Sequence, residues 1–433
     1  MKRKLAALEI CLVTVTVFTV VYTAGWFKGQ TGQALVYVKE AQAQQKAQKP
    51  PMDNIIDGIM YPKGDTPLPI KDGVYPGVYT PNTEQLGPNE MRVTALGTGM
   101  PNVILAKQKA SCWFVELGNG EKLLFDLGSG SMENLSRLRP DWNKVDKVFA
   151  SHLHSDHVGG FAELYIGGWM NGRYVPLHFY GPSGAEPRLG TKAFVENQVK
   201  SWAWDVEGRR TGFPISGGKV IVHEFDFRNE GVIYEKNGVK ISSFPAIHVL
   251  DGSVSFRLDW KGRSFVFGGD SAPNKWFIKY AKGAELVVHE CFFTPKQLEK
   301  LLGTPPVQAV QITSYLHTPP DAFGKIMSAV KPRHAIGYHF WMLFDILPEV
   351  TAKVRETYDG PLTLAPDMTV WNVTDEQVVV REAITDENAM PSGTTTAYRQ
   401  AKREPPEVAE NWISPDIRAG RWEGYTPPPL PKQ

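Results

Sequence analysis

Four side chains able to bind a metal ion, His152, His154, Asp156 and His157, crowd into the stretch Ser151-His-Leu-His-Ser-Asp-His157. Imidazole nitrogen and carboxylate oxygen are donors that Zn²⁺ and similar divalent ions accept, and a catalytic ion also keeps a position for water. In a nearly extended segment His152 and His154 project to the same side and reach one ion, while the tighter Asp156-His157 pair turns toward a second. The same tract is also compatible with a solvated His-rich loop that holds metal without catalysing anything.

Further potential ligands stand at the ends of apolar runs. His248 follows Ile241-Ser-Ser-Phe244, Asp270 follows Phe265-Val-Phe-Gly-Gly269, and His339 follows Ala335-Ile-Gly-Tyr338. Loops at strand ends are where distant segments bring side chains together. Taken singly, His248 and His339 are equally well core histidines, and Asp270 a cap on the helix expected after Pro273. His178, His223, His289 and His334 lie in or beside strand-like runs and read as packing or supporting residues.

Positioning these groups requires strands. Lys147-Val-Phe-Ala150 reads as the strand that delivers the histidine loop, and Arg92–Gly97, Cys112–Leu117, Lys122–Asp126, Leu177–Tyr180 and Val220–Phe227 as further short strands. Val232–Phe244 is a strand pair broken at Lys236-Asn-Gly238, and Ser253–Leu258 with Ser264–Phe267 a hairpin about Lys261-Gly262. Leu286–His289 and His334–Tyr338 read as two more strands, and helices are expected over Met132–Leu138, Thr191–Trp202, Lys275–Ala281 and Pro320–Val330. Strands and helices mixed in this way predict a layered α/β domain.

Lys and Arg number 47 against 46 acidic residues, with no long basic run, so bulk electrostatics argue against a nucleic-acid partner. Met1-Lys-Arg-Lys4 is basic and residues 5–27 are largely apolar, the pattern of a signal peptide or an uncleaved membrane anchor. That segment predicts export to a periplasmic or other extracytoplasmic location with N-terminal membrane association. Residues 28–88, rich first in Gln and Ala and then in Gly and Pro, read as a spacer and irregular lead-in. The expected catalytic domain is residues 89–385, followed by a Pro-rich tail over 386–433. With Cys11 in the apolar segment, Cys112 and Cys291 allow at most one disulfide in the remainder. The composition leaves oligomeric state open.

Residues 152–157 match the His-x-His-x-Asp-His loop of the metallo-β-lactamase superfamily, which the chain resembles over roughly residues 91–383. The resemblance implies a four-layer αβ/βα sandwich in one catalytic domain. It implies that His152, His154 and His248 hold one metal, Asp156, His157 and His339 a second, and that Asp270 bridges them. Two Zn²⁺ are the implied cofactors, with Mn or Fe as alternatives, and water between the ions is the implied nucleophile. Asp126, in Phe125-Asp-Leu-Gly128, matches the family's structural aspartate. Val287-Val-His-Glu-Cys291 and Leu316-His-Thr-Pro319 resemble motifs of the ribonuclease Z and arylsulfatase branch, in which a histidine matching His317, held by a glutamate matching Glu290, protonates the leaving group. The chain is most similar to a bacterial subgroup labelled guanitoxin-biosynthesis-type metallo-hydrolases.

It also departs from that branch. Only 21 residues separate His248 from Asp270, too few for the long tRNA-gripping arm that many ribonuclease Z proteins insert there, and Lys107-Gln-Lys109 is followed by Ala110-Ser111 rather than Arg-Asn. The sequence therefore predicts an exported dinuclear hydrolase of a small organic ester, whether sulfate, phosphate or carboxylic, with Asp156, His317 and Glu290 as catalytic residues and no nucleic-acid partner. Trp169, Trp202, Trp204, Trp276, Phe340 and Trp341 are expected to wall its pocket. The competing expectations are a lactonase or β-lactamase on the same site, and a non-catalytic, membrane-tethered metal-binding protein.

Overall fold

Two sheets, one of nine strands and one of seven, form the frame of the computed structural model. It describes residues 68–101, 107–210 and 212–386, preceded by a short strand pair, Ile55–Ile56 with Ile59–Met60. The first sheet contains β1 (Val78–Tyr79), β2 (Met91–Gly97), β3 (Cys112–Leu117), β4 (Lys122–Phe125), β5 (Lys147–Phe149), β6 (Leu177–Pro182) and β7 (Val220–Phe225). The second contains β8 (Gly231–Lys236), β9 (Val239–Pro245), β10 (Val254–Trp260), β11 (Arg263–Phe267), β12 (Leu286–Glu290), β13 (His334–Tyr338) and β14 (Leu362–Leu364). The chain then returns to the first sheet as β15 (Thr369–Val373) and β16 (Val378–Ala383), giving the order β7-β6-β5-β4-β3-β2-β15-β16-β1. The second sheet runs β8 to β14 in sequence order.

Both faces of each sheet are covered, which is why the strands read as nearly continuous apolar runs. In β3 the pleat turns Trp113, Val115 and Leu117 toward the second sheet and Cys112 and Phe114 toward the helices. The first sheet's outer face packs on α1 (Ser131–Arg137) and α3 (Thr191–Ser201). The second sheet's outer face packs on α5 (Lys275–Ala281), α6 (Pro295–Leu302), α8 (Pro320–Val330) and α9 (Leu347–Arg355). Helix α8 buries Phe323, Ile326, Met327 and Val330, the i, i+3, i+4, i+7 stripe of an amphipathic helix, and ends at Lys331 in the left-handed region ahead of Pro332. The result is the expected four-layer sandwich. Between its sheets Trp113 meets Tyr338 edge-on at 5.5 Å and Trp371 at 5.9 Å. Truncating an aromatic of that size to Ala costs about 3–5 kcal/mol.

At one edge the sheets are tied together. Val254 N–H donates to Ser151 O at 2.9 Å, and Gly269, with φ +60°, lies so close that a Cβ there would sit 2.7 Å from the Ser151 side chain. Only glycine meets both demands. The C-terminal ends of β4, β5, β9, β11, β12 and β13 carry the chemistry-bearing residues Asp126, His152, His248, Asp270, Glu290 and His339.

Among the helices that arise where the sequence suggested none are α4 (Ala203–Arg209), α6, α7 (Pro306–Gln311) and α9. Cys112 and Cys291 are both free and buried, so no disulfide joins them. Among the described residues no helix is long and apolar enough to cross a membrane. The expected N-terminal segment 1–27 and nearly all of the expected tail, 387–433, lie outside the described residues.

Candidate metal centre

The loop after β5 is extended through His152 to His154 and then enters the short helix α2 (Ser155–Val158), whose first turn holds Asp156 and His157. That change of backbone sends the two pairs in different directions. His152, His154, His248 and Asp270 offer one set of donor atoms lying within 4.8 Å of one another, and Asp156, His157, Asp270 and His339 offer another. In the first set His154 Nδ1 lies 3.0 Å from His152 Nε2 and 3.3 Å from His248 Nε2. In the second, His157 Nε2 is 3.2 Å from Asp156 Oδ2 and 3.1 Å from Asp270 Oδ1, while His339 Nε2 is 3.2 Å from Asp156 Oδ2 and from Asp270 Oδ2. All seven expected ligands meet at this edge, and Asp270 belongs to both sets.

On His157, His248 and His152 the nitrogen turned away from the cage is held by a hydrogen bond. His157 Nδ1 donates to Asp126 Oδ2 at 2.5 Å, and His248 Nδ1 to Leu316 O at 2.8 Å. His152 Nδ1 pairs with Ser151 Oγ at 3.1 Å. Such bonds fix the tautomer and aim the other ring nitrogen inward. Asp126 itself, at φ +57°, also accepts from Ser151 N and Oγ. It supports the cage rather than entering either donor set, as the sequence suggested.

Donor chemistry and burial fit divalent ions. Asp156 Oδ1, His157 Nε2 and both Asp270 oxygens are buried without a hydrogen-bond partner, and divalent ions held among them would satisfy all four. No Lys or Arg pairs with Asp126, Asp156, Asp270 or Glu290 among the described residues; histidines are their only ionic partners. Burial, followed by neighbouring imidazoles, holds His152 well below the usual imidazole range, and burial with His248 lowers His154. Neutral imidazole is the form that ligates. Burial opposes charge on His157 and His339 too, but Asp270 and the other carboxylates around them reverse the direction and raise both.

Beside the cage lies a second arrangement. Glu290, fully buried at the end of β12, accepts from Ser271 N at 2.6 Å through Oε1 and from His317 Nδ1 at 2.6 Å through Oε2. The His317 ring stacks on Phe292 at 4.1 Å and 8°, and its Nε2 is left without a hydrogen bond among the described residues. Thr318 Oγ1 donates to Ser271 O, tying the His317 loop to the same strand end as Asp270.

Three residues with no assigned role brace the last histidine. His339 sits at φ +70°, and its N–H donates to Thr98 O at 2.9 Å. Thr98 donates through N and Oγ1 to Asp367 Oδ1, and Lys109 N donates to Asp367 Oδ2. Gln108 bridges Thr98 Oγ1, Phe340 O and Met342 N. Gln108 falls in the Lys107-Gln-Lys109 stretch compared with ribonuclease Z, but nothing in the spacing of Thr98 or Gln108 marks a partner as distant as Asp367.

A cleft opens on the His152, His154 and His248 side, with Leu153, Pro182, Leu189 and Leu250 among its walls. None of the six aromatics expected there lines it. Trp169 is buried and donates to Pro214 O, and Phe340 is core; Trp276 and Trp341 pack against the second sheet's helices. Trp204 is 88% exposed. Their spacing gave no direction, and aromatic side chains gain most by filling cores.

A family model described as the metallo-beta-lactamase superfamily matches residues 107–294. The chain is 28% identical over 207 residues to a protein named ribonuclease Z from Mycolicibacterium gilvum, covering 46% of this chain and 68% of the relative. It is 24% identical over 308 residues to a ribonuclease Z from Myxococcus xanthus, covering 64% and 96%. Among solved structures, the metallo-beta-lactamase fold protein YhfI from Bacillus subtilis superposes with a TM-score of 0.50 at 19% identity, covering 66% of this chain and all of that one.

These relatives correct the expected substrate and partners. A hydrolase of small organic esters with no nucleic-acid partner does not stand against relatives named ribonucleases. Both arguments behind it were too coarse. Net charge sums the whole surface and does not describe one face. A missing arm changes how a substrate is gripped, not which bond the cage can break. Export rested on residues 1–27 alone.

Proposed function

On the premise that this chain carries a metallo-β-lactamase superfamily domain of the ribonuclease Z-like branch and is a metal-dependent hydrolase of ester bonds, we propose that it cleaves phosphodiester bonds in RNA. We assign His152, His154, His248 and Asp270 to one zinc ion, and Asp156, His157, His339 and Asp270 to a second. Zinc pairs of this kind supply a Lewis acid for the phosphoryl oxygens and lower the pKa of coordinated water.

The observation that carries the reading is the Glu290–His317 pair. Hydrolysis of a phosphodiester expels an alkoxide, a poor leaving group unless it is protonated as the bond breaks. His317 holds a proton at Nε2 for that oxygen. Glu290 accepts from Nδ1 at 2.6 Å, so the ring keeps one orientation with Nε2 turned away from the carboxylate. Burial opposes ionisation of Glu290, but His317 beside it lowers its pKa, keeping the acceptor ionised. Phe292 stacks on the ring and limits its rotation. Asp126 plays the corresponding part for His157, and the two buried carboxylates brace opposite sides of the cage.

Zinc-loaded full-length protein should turn over bis(p-nitrophenyl) phosphate and cleave a short single-stranded RNA, and chelation should abolish both. Turnover of a carboxylic ester or lactone with neither phosphodiester cleaved would contradict the reading.

A further inference from the structure

The cleft beside His152, His154 and His248 has a volume of about 190 Å³ and is lined by more apolar than polar surface. No Lys or Arg lines it. Its one charged side chain is Asp251, exposed and without a hydrogen bond or ion pair among the described residues. Beyond the zinc that His152, His154 and His248 would hold at its inner end, a second phosphate would find no cation here and would meet a carboxylate, so the rest of the cleft does not suit the nucleic-acid backbone.

The turn that shapes the cleft is short and pinned. Ala246 N–H donates to Ser253 O at 3.0 Å, and Gly252, at φ +135°, lies against Ser183 and Gly184, where a Cβ would come within 3.3 Å of the Ser183 carbonyl oxygen. Leu250, 63% exposed, stands on this turn, with Leu153, Pro182 and Leu189 among the other walls. Apolar walls with an unpaired acceptor suit a flat ligand whose faces are apolar and whose edge carries N–H donors. An unstacked nucleobase has that form, and proteins bind such bases by packing on their faces and hydrogen bonding to their Watson–Crick edges.

We infer that this cleft is a nucleobase subsite next to the scissile phosphate, in which Asp251 selects guanine. Guanine alone presents two adjacent donors, N1–H and the N2 amino group, spaced for both oxygens of one carboxylate in a bidentate, charge-assisted pair. Adenine and cytosine offer one amino group, and uracil one ring N–H. The inference rests on the phosphodiesterase reading and adds to it the base that the site prefers.

The test uses zinc-loaded full-length protein and short RNAs that differ only in the base beside the mapped cleavage position. A bidentate pair discriminates by about 1–3 kcal/mol, so kcat/KM for guanosine should exceed that for uridine by about fivefold or more. Asp251→Ala should bring the ratio to within about twofold, while Asp251→Glu, which keeps the carboxylate, should leave guanosine ahead. Calorimetry should show guanosine 5′-monophosphate binding the wild type more tightly than uridine 5′-monophosphate, with the gap lost in Asp251→Ala at unchanged zinc content. RNA cleaved without base preference, or a preference that survives Asp251→Ala, overturns the subsite and leaves the phosphodiesterase reading in place. Cleavage of bis(p-nitrophenyl) phosphate with no cleavage of any RNA overturns both the RNA reading and the subsite.

Discussion

The first sheet delivers four of the converging side chains from one loop, His152 to His157, whereas the second delivers His248, Asp270, Glu290 and His339 from four separate strand ends. The bracing differs accordingly. One carboxylate, Asp126, reaches both the Ser151 backbone and His157, so a single side chain fixes the start and end of the loop. On the other side the load is spread over Leu316 O for His248, Ser271 N for Glu290, and Thr98 with Asp367 for His339. A compact loop gains four groups from one strand but depends on one brace. Dispersed strand ends need a whole sheet in register, such as the Phe267↔Val288 and Glu290↔Tyr338 pairings, and no one brace controls them.

That contrast can be broken most severely at Asp270, the side chain common to both donor sets. Asp270→Ala should remove detectable hydrolysis and lower bound zinc from two equivalents to one or fewer, read by metal analysis on folded protein. Full occupancy with wild-type turnover would sink the assignment of both ions. Next comes the single brace. Asp126→Asn should weaken zinc binding by about 10–100-fold, because loss of a supporting carboxylate frees the ligand it orients. Its counterpart, Asp367→Ala, should cost about 1–3 kcal/mol in chemical denaturation through donors left unsatisfied, with a smaller loss of zinc affinity than Asp126→Asn. Equal losses of affinity would mean that the two sides are not braced differently.

The smallest expected effect lies at the far end of β13. Burial lowers His334 to about 4, so it is neutral in the fold, and its Nε2 pairs with Thr363 Oγ1 at 2.8 Å. A depressed histidine pKa stabilises the fold above the unfolded value near 6.5, and that contribution is lost as pH falls toward 4. His334→Gln should therefore flatten the decline in thermal stability between pH 6.5 and 4. An unchanged slope would show that the acid sensitivity lies elsewhere.

The same contrast explains what could be read from the sequence. Four metal donors within six residues are a local signal, and residue type and spacing suffice to see it. His248, Asp270 and His339 gained meaning from their order after apolar runs and from the family they resemble, since nothing local separates a ligand from a core histidine. Asp367 carried no signal, because its partner Thr98 lies 269 residues away and the bond depends on sheet closure. Helix α6 was readable and was missed: Thr294 and Gln297 form a capping box ahead of Leu298. Substrate was not legible because neutral overall charge averages the whole surface and a short interval bears on how a substrate is gripped, while bond cleavage is decided over a few ångströms.

In the proposed reaction His317, held by Glu290, protonates the leaving oxygen of a phosphodiester. This step is tested most directly by the leaving-group dependence of His317→Ala on a series of phosphodiesters running from p-nitrophenyl to simple alkyl esters, with zinc content verified. A loss of about 10²–10⁴-fold is expected for alkoxide leaving groups, with little loss for p-nitrophenolate. A uniform loss across the series would contradict it.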